Sequence, residues 1–254
     1  MMEIRNILIT GSNGFIGKNL KKRLQQRDDI KLFEFNRDDK IDELEKVINK
    51  IDFIFHFAGE VRPNSSDEEF ISSHNLLTKE LIKIIEKNNL SIPILFTSSK
   101  HADDPKNMYG QSKQETENII IEYSKNNSAP VMIYRLSHIF GEGCKPNYNS
   151  VISTWIYNTI NALPVKVFDR NIPMRYIYVQ EVVNEFLERM DKYDLGKSYY
   201  DIDIFYDTTL GTVLDYLEEF KENEGNSDYI LSDDDQFKRK LYTVYLDYLK
   251  NNRN

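Results

Sequence analysis

Apolar and polar positions follow one another along the first 140 residues in two alternating patterns. The run Ile7-Leu8-Ile9 is continuous and stops at Gly11, as in a short parallel strand buried on both faces. Immediately beyond the glycines, Ile16, Leu20 and Leu24 recur at helical spacing. A second strand is predicted over 30–35, a short helix over 41–48, and a third strand at Phe53-Ile54-Phe55-His56-Phe57. Leu77, Leu81, Ile84 and Ile85 mark a long helix, followed by a strand over 94–97, a helix over 109–123 and a strand over 131–136. Such alternation implies right-handed crossovers and an α/β fold built on a doubly wound parallel sheet. After about residue 141 the rhythm changes to a loop over 141–149, a helix over 151–160 and shorter elements. The expected organisation is a sheet domain over 1–141 and a smaller lobe over 142–254, partly interleaved with the sheet. Asp233-Asp234-Asp235 predicts an exposed helix start, where carboxylates meet the positive end of the helix dipole. Residues 251–254 read as a frayed tail.

Composition narrows the partners. A formal net charge of -8 argues against non-specific binding to nucleic acid or to an anionic membrane surface. A single Cys144 allows no internal disulfide and fits a reducing, cytoplasmic compartment. The four histidines, at 56, 74, 101 and 138, have no metal-ligand spacing, so no metal is expected. No apolar run approaches the ~18 residues of a membrane span. Arg5 precedes only three apolar residues before the turn at Gly11, which is not the pattern of a secretory leader.

Three signals carry chemistry. The first is Gly11-Ser12-Asn13-Gly14-Phe15-Ile16-Gly17, set between a strand and an amphipathic helix. In that context Gly11 permits a tight turn, Gly14 lets the backbone approach a pyrophosphate, and Gly17 allows close helix–strand packing. The amides of Asn13, Phe15 and Ile16 then face the phosphates of a dinucleotide. After the second strand, where NAD-preferring sites usually carry Asp or Glu, stand Asn36 and Arg37. A guanidinium suits a ribose 2′-phosphate and predicts NADPH; the alternative is a surface pair of Arg37 with Asp38 or Asp39. Phe57-Ala58-Gly59 ends the third strand with small residues that admit the cofactor ribose. Asn75 is counted with this cofactor set, as either a helix cap or a backbone clamp near the active site. His56 reads as a packed strand residue.

The second and third signals are Thr97-Ser98-Ser99 and Tyr109-Gly110-Gln111-Ser112-Lys113. Tyr109 and Lys113 are four apart on the predicted helix and share one face. A phenol ordinarily titrates near ~10. An adjacent ammonium is expected to lower that value and speed proton exchange. Lys113 is also suited to holding the nicotinamide ribose, and Ser99 to donating to a substrate oxygen as charge develops on it. The pattern is that of hydride transfer to a ketone with Tyr109 as proton donor.

With these motifs the chain resembles the extended short-chain dehydrogenase/reductase family, in its nucleotide-sugar branch. His56-Phe57-Ala58-Gly59, Tyr134-Arg135-Leu136, Phe140-Gly141 and Arg175-Tyr176-Ile177-Tyr178-Val179 extend the resemblance over nearly the whole chain. Within the branch it is most similar to the reductase domain of CapF-type capsular polysaccharide enzymes, through the segments 144–152, 169–171, 209–211 and 241–246. The resemblance implies a Rossmann-type domain, a homodimer and NADPH-dependent reduction of a UDP-2-acetamido-2,6-dideoxy-hexos-4-ulose at C4. The product would be a UDP-6-deoxy-L-N-acetylhexosamine of L-talo or L-rhamno type, made between an upstream dehydratase/epimerase and a downstream 2-epimerase. Enzymes of this type often carry a C-terminal cupin domain that epimerises C3. The sequence stops where that domain would begin, so C3 inversion is expected from another protein. His138 stands where the family usually has an Asn facing the substrate.

The lobe is expected to supply the nucleotide-sugar contacts, with Lys145, Asn149, Arg170 and Arg175 as candidates. Arg175 has the family precedent for meeting a diphosphate; Lys145 is equally readable as a solvated loop lysine. Cys144 reads as a small packed residue. Ser99-Lys100-His101 lacks the acid–base pair of a 4,6-dehydratase. A 4-epimerase using the same Tyr/Lys pair, with tightly bound NAD, and a non-catalytic dinucleotide-sensing protein are the rival readings. Retained NAD in the purified protein separates the epimerase. Arg37→Ala is expected to raise the Michaelis constant for NADPH in steady-state assays, and an unchanged value removes the assignment of Arg37.

Overall fold

The computed structural model describes residues 4–62, 64–194 and 196–252. They form two compact units, one running to Leu136 and including Val183–Ile202, the other comprising Ser137–Val182 and the segment from Asp203 onward.

The first unit begins with β1 (Arg5–Thr10), α1 (Phe15–Leu24), β2 (Ile30–Phe35), α2 (Ile41–Val47) and β3 (Phe53–His56). It continues through α3 (Asp67–Phe70), α4 (Leu77–Lys87), β4 (Ile94–Ser99), α5 (Met108–Asn127) and β5 (Val131–Leu136). A six-stranded sheet takes the order β2-β1-β3-β4-β5-β8, where β8 is Tyr199–Tyr200, and every pairing is parallel. The chain reverses its direction of travel between β1 and β3, so the loop after β1 lies at the switch point where α/β sheets bind ligands. Helices flank this Rossmann-type sheet. On one face Leu8, Ile54, Ile94 and Ile133 pack with Leu44, Leu81, Ile85, Ile120 and Tyr123. On the other, Phe55, Phe57 and Tyr134 gather around Phe186. Successive strand residues therefore serve opposite layers, which is why the strands read as unbroken apolar runs.

Two elements extend past their sequence signals. β4 runs on to Ser99, and α5 starts at Met108 because the Asn107 side chain accepts from Gly110 N at 2.9 Å. The long helix is compound: α3 opens on a Ser66/Glu69 capping box, a π-helical turn covers Ile71–Leu76, and α4 follows. Asn75 therefore lies inside a helix and not at its start.

The second unit holds a three-stranded sheet, β6 (His138–Phe140), β7 (Pro173–Tyr178) and β9 (Tyr206–Thr209), with β6 parallel and β9 antiparallel to β7. Helices α6 (Val151–Ile160), α8 (Leu210–Glu222) and α9 (Gln236–Asn252) bury Ile156, Leu217, Phe220, Leu241 and Tyr245 against Phe140 and Tyr176. Helix α7 (Val179–Asp191) bridges the two units in sequence. Asp235 accepts from Lys238 N at 2.8 Å at the start of α9, as the acidic triplet predicts. Asn251 and Asn252 belong to α9 and are not frayed; Arg253 and Asn254 of the predicted tail lie outside the described residues.

Glycines decide the shape of the β1–α1 turn. Gly11 has φ +73°, and a Cβ there would lie 2.8 Å from Ala58 N. A Cβ on Gly17 would fall 2.3 Å from the Gly11 carbonyl oxygen. Gly17→Ala must therefore push α1 off the turn, and urea unfolding is expected to show a loss of about 1–3 kcal/mol. An unchanged midpoint would contradict this packing.

Candidate active site

The site lies in the first unit, along the carboxyl ends of β1 to β4. The β1–α1 turn passes directly under the end of β3, since Gly11 leaves no room for a side chain against Phe57 and Ala58. Gly14 caps α1, whose first-turn amides, including those of Phe15 and Ile16, have no acceptor within the helix. A cradle closed to a Cβ and opened by a helix N-terminus fits a dinucleotide pyrophosphate. The Asn13 amide donates to Asn36 Oδ1 at 3.0 Å, so it ties the cradle to the turn after β2. Ser12 Oγ donates to Glu34 Oε2 at 2.5 Å, reinforcing the same junction.

Arg37 is not paired with Asp38 or Asp39. Asp39 instead accepts from the Asn36 amide at 2.6 Å, closing the turn locally. The Arg37 guanidinium reaches across to Glu60, with Nη2 2.7 Å from Oε2. Arg62 grips the same carboxylate through Nε at 3.0 Å and Nη2 at 2.7 Å. Burial works against the charge of Glu60, but the Arg62 side chain and amide, Arg37 and the Val61 amide outweigh it and hold its pKa down at about 2. Neither Glu60 nor Arg62 is singled out by any sequence motif; their pairing depends on the fold of the β3–α3 segment.

Tyr109, Lys113 and Glu117 occupy one face of α5, and three consecutive residues of β4 meet them. The Ser99 side chain stands beside the Tyr109 hydroxyl. Lys113 Nζ donates to the Thr97 carbonyl at 3.0 Å and sits 4.9 Å from the Phe96 ring centre. Ser98 Oγ donates to Glu117, which also accepts from Arg135 Nη2 at 2.6 Å and Tyr199 Oη at 2.9 Å. The expected acidification of Tyr109 by Lys113 is not what this arrangement produces. Burial raises the phenol pKa, with the Ser99 side chain opposing it. Lys113 is itself only 4 % exposed, and its desolvation pushes its pKa down to about 8, against the pull of Glu117. Sequence spacing places both groups on one face but carries no information about how dry that face is.

A buried polar chain backs the site. Asn75 Nδ2 donates to the Ser112 carbonyl at 2.8 Å and to Thr116 Oγ1 at 2.9 Å, so it clamps α5 and does not cap a helix. His74 Nδ1 lies 2.8 Å from Ser112 Oγ, which donates to the Tyr109 carbonyl. With that hydroxyl proton committed, Nδ1 carries the imidazole proton and Nε2 is the bare acceptor. Nε2 is buried without a partner among the described residues, and a Cβ on Gly59 would strike it at 2.5 Å. His56 bridges Thr10 and Thr78, at 2.7 and 2.8 Å. Burial, with Lys113 nearby, pushes His56 down to about 3 and His74 to about 2, so both are neutral.

The remaining candidates lie in the second unit. His138, on β6, is exposed and has its ring 5.9 Å from that of Tyr176. Lys145 and Asn149 are exposed loop residues. Arg170 pairs with Asp215. Arg175 pairs with Asp207 through Nε at 2.7 Å and Nη2 at 2.8 Å, and its guanidinium lies 3.8 Å from the Phe205 ring centre. Among the described residues no hydrogen bond or ion pair joins the side chains of Lys145, Asn149, Arg170 and Arg175 to one another. Cys144 is half-buried, and burial raises its thiol pKa.

Lys113 supplies a pH test. Its folded pKa of about 8 lies below the ordinary 10.5, so between those values the unfolded chain binds more protons and stability rises with pH. Relative to Lys113→Met, the wild type is expected to gain on the order of 2–3 kcal/mol from pH 8 to 10.5 in urea unfolding. A difference that stays flat over this range would mean that the ammonium is not desolvated.

The NAD dependent epimerase/dehydratase family profile matches residues 7–204. The chain is 33% identical over 243 residues to a UDP-2-acetamido-2,6-beta-L-arabino-hexul-4-ose reductase of Pseudomonas aeruginosa, covering 96% of this chain and 64% of that protein. The capsular polysaccharide assembling protein CapF of Staphylococcus aureus superposes with a TM-score of 0.83 at 36% identity, over 96% of this chain and 66% of that one. The chain thus spans just under two thirds of the length of both. The Bordetella bronchiseptica enzyme WbmF, solved in complex with NAD+, shares the fold at TM-score 0.80 and 17% identity, over 98% of this chain and 94% of its own. Among the described residues no helix is long and apolar enough to cross a membrane. Cradle, Tyr109/Lys113 face, family profile and relatives agree, and the chain belongs to the NAD dependent epimerase/dehydratase family.

Proposed function

We propose that this protein reduces the C4 ketone of a UDP-2-acetamido-2,6-dideoxy-hexos-4-ulose with NADPH, giving a UDP-6-deoxy-L-N-acetylhexosamine for surface polysaccharide synthesis. The observation that carries the reading is Tyr109 and Lys113 one helical turn apart on α5 against the end of β4, where Lys113 Nζ donates to the Thr97 carbonyl at 3.0 Å and Ser99 stands beside the phenol. The similarity to a reductase of a UDP-linked hexulose supports the substrate class.

The residues divide the work as follows. Gly11, Gly14, Gly17 and the first turn of α1 hold the pyrophosphate, Arg37 meets the 2′-phosphate, and Phe57, Ala58 and Gly59 floor the ribose. Bound NADPH supplies the hydride. Ser99 donates a hydrogen bond to the ketone oxygen, and Tyr109 delivers its proton there as the carbon is reduced, so one hydride and one proton make the alcohol. A phenol kept protonated by burial suits a proton donor better than a phenolate would. Lys113 then returns a proton to Tyr109; a buried ammonium with a pKa of about 8 parts with it readily near neutrality. Asn75 fixes the carbonyl of Ser112 and with it the turn of α5 between the two groups. In the second unit Arg170 and Arg175, with Lys145, Asn149 and His138, are the groups for the UDP-sugar. Their partners Asp215 and Asp207 are exposed, so solvent screens both pairs. The protein acts in this reading as a cytoplasmic homodimer, between a dehydratase/epimerase that makes the ketone and a 2-epimerase that consumes the product.

The Arg37 guanidinium after β2 disfavours the 4-epimerase alternative, which keeps NAD bound. With a 4-keto-6-deoxy UDP-sugar and NADPH, Tyr109→Phe is expected to lower turnover by ~10²–10⁴, read as loss of nicotinamide absorbance. Near-wild-type turnover in that variant removes Tyr109 as the proton donor.

A further inference from the structure

The reading above assigns Arg37 to a 2′-phosphate but leaves unexplained what aims it. Arg37 is a long, flexible side chain, 66% exposed, on the turn after β2. Among the described residues one polar contact restrains it: Nη2 donates at 2.7 Å to Oε2 of Glu60, a carboxylate only 1 % exposed. Glu60 is in turn immobilised from every side. Oε1 accepts from the Val61 amide at 2.9 Å, the Arg62 amide at 2.8 Å and Arg62 Nε at 3.0 Å. Oε2 accepts from Arg62 Nη2 at 2.7 Å as well as from Arg37, and the Glu60 amide donates to Ser73 Oγ at 3.0 Å. These donors saturate the lone pairs of the carboxylate, so Glu60 has no capacity left to accept a ribose hydroxyl. It is therefore not a displaced version of the acidic residue that selects NAD.

The position also matters. Glu60 follows Gly59 in the segment whose Phe57 and Ala58 backbone touches Gly11, and Asn36, next to Arg37, is tied to Ser12 and Asn13 of the cradle. The ion-pair chain thus spans from the loop after β3 to the turn after β2 at the mouth of the dinucleotide cradle. We infer that Glu60 is a positioning residue for cofactor selection: locked by Arg62 in a bidentate grip, it holds Arg37 by one nitrogen and leaves the other guanidinium donors directed to a ribose 2′-phosphate. This deepens the NADPH reading and rests on it.

Two physical roles for a carboxylate at this place predict opposite signs. If Glu60 acted only through its charge, its removal would leave Arg37 uncompensated, with Arg62 keeping Glu69 at 3.1 Å, and tighten the binding of a phosphate dianion. As a positioning group, its removal frees Arg37 to spread over many rotamers and weakens that binding. The test is calorimetric titration of the free protein with adenosine 2′,5′-bisphosphate and with 5′-AMP, for wild type, Glu60→Gln, Arg62→Gln, Arg37→Ala and the double variant Arg37→Ala/Glu60→Gln. We expect Glu60→Gln to weaken the bisphosphate about tenfold while 5′-AMP binding holds, and Arg62→Gln to act in the same direction. In the Arg37→Ala background Glu60→Gln should leave the ratio of the two affinities unchanged. A merely structural role would weaken both ligands alike. Should Glu60→Gln fold poorly, Arg62→Gln carries the test, because it unlocks the carboxylate without leaving a buried neutral amide among arginines. A wild type preferring the bisphosphate, with that preference intact or larger in the Glu60 and Arg62 variants, overturns this inference alone. A wild type with no preference overturns the NADPH reading and this inference together.

Discussion

The site is held together by the register between one helix face and one strand end. Ser99, Ser98 and Thr97, the last residues of β4, meet Tyr109, Glu117 and Lys113 on α5. Glu117 is the anchor of this arrangement. It is 1 % exposed and joins α5 to β4 through Ser98, to β5 through Arg135 and to β8 through Tyr199. A buried carboxylate left without these partners would cost several kcal/mol, so the helix has one allowed seat on the sheet. Tyr109 and Lys113, two turns and one turn before Glu117, are carried to the strand end by that seat.

The same packing sets the electrostatics. Tyr109 and Lys113 lie in ground dry enough that burial, and not their mutual charge, governs both. In the reading proposed, a neutral phenol one helical turn from an ammonium with a pKa of about 8 is a proton donor with a reserve behind it. The neutral histidines 56 and 74, with Thr10, Thr78 and Ser112, fill the space behind with a hydrogen-bonded chain. Such a chain keeps the interior polar without adding charge, and every link except His74 Nε2 is satisfied. Near the surface, Arg170 and Arg175 keep exposed aspartates as partners.

Much of this was legible in the chain. The strand–helix alternation, the glycine turn and the Tyr109/Lys113 spacing are local patterns, and the parallel sheet and helix face follow from them. Boundaries shifted where caps intervened, as at Asn107, and where a π-helical turn merged α3 into α4 around Asn75. The partner of Arg37 was not legible: Asp38 and Asp39 are its neighbours in sequence, but Glu60 is its neighbour in space. The direction of the Tyr109 shift was missed for a related reason, since desolvation depends on everything packed around a group.

By itself, then, the sequence determined periodicity, turns that only glycine can make, and which reactive side chains share a helical face, because each depends on residues within a few positions of one another. The tertiary structure alone decided how deep those side chains lie, which carboxylate holds which guanidinium, and which residues of β4 face α5. Those are consequences of closure between segments distant in sequence, which come to exclude water from a common space.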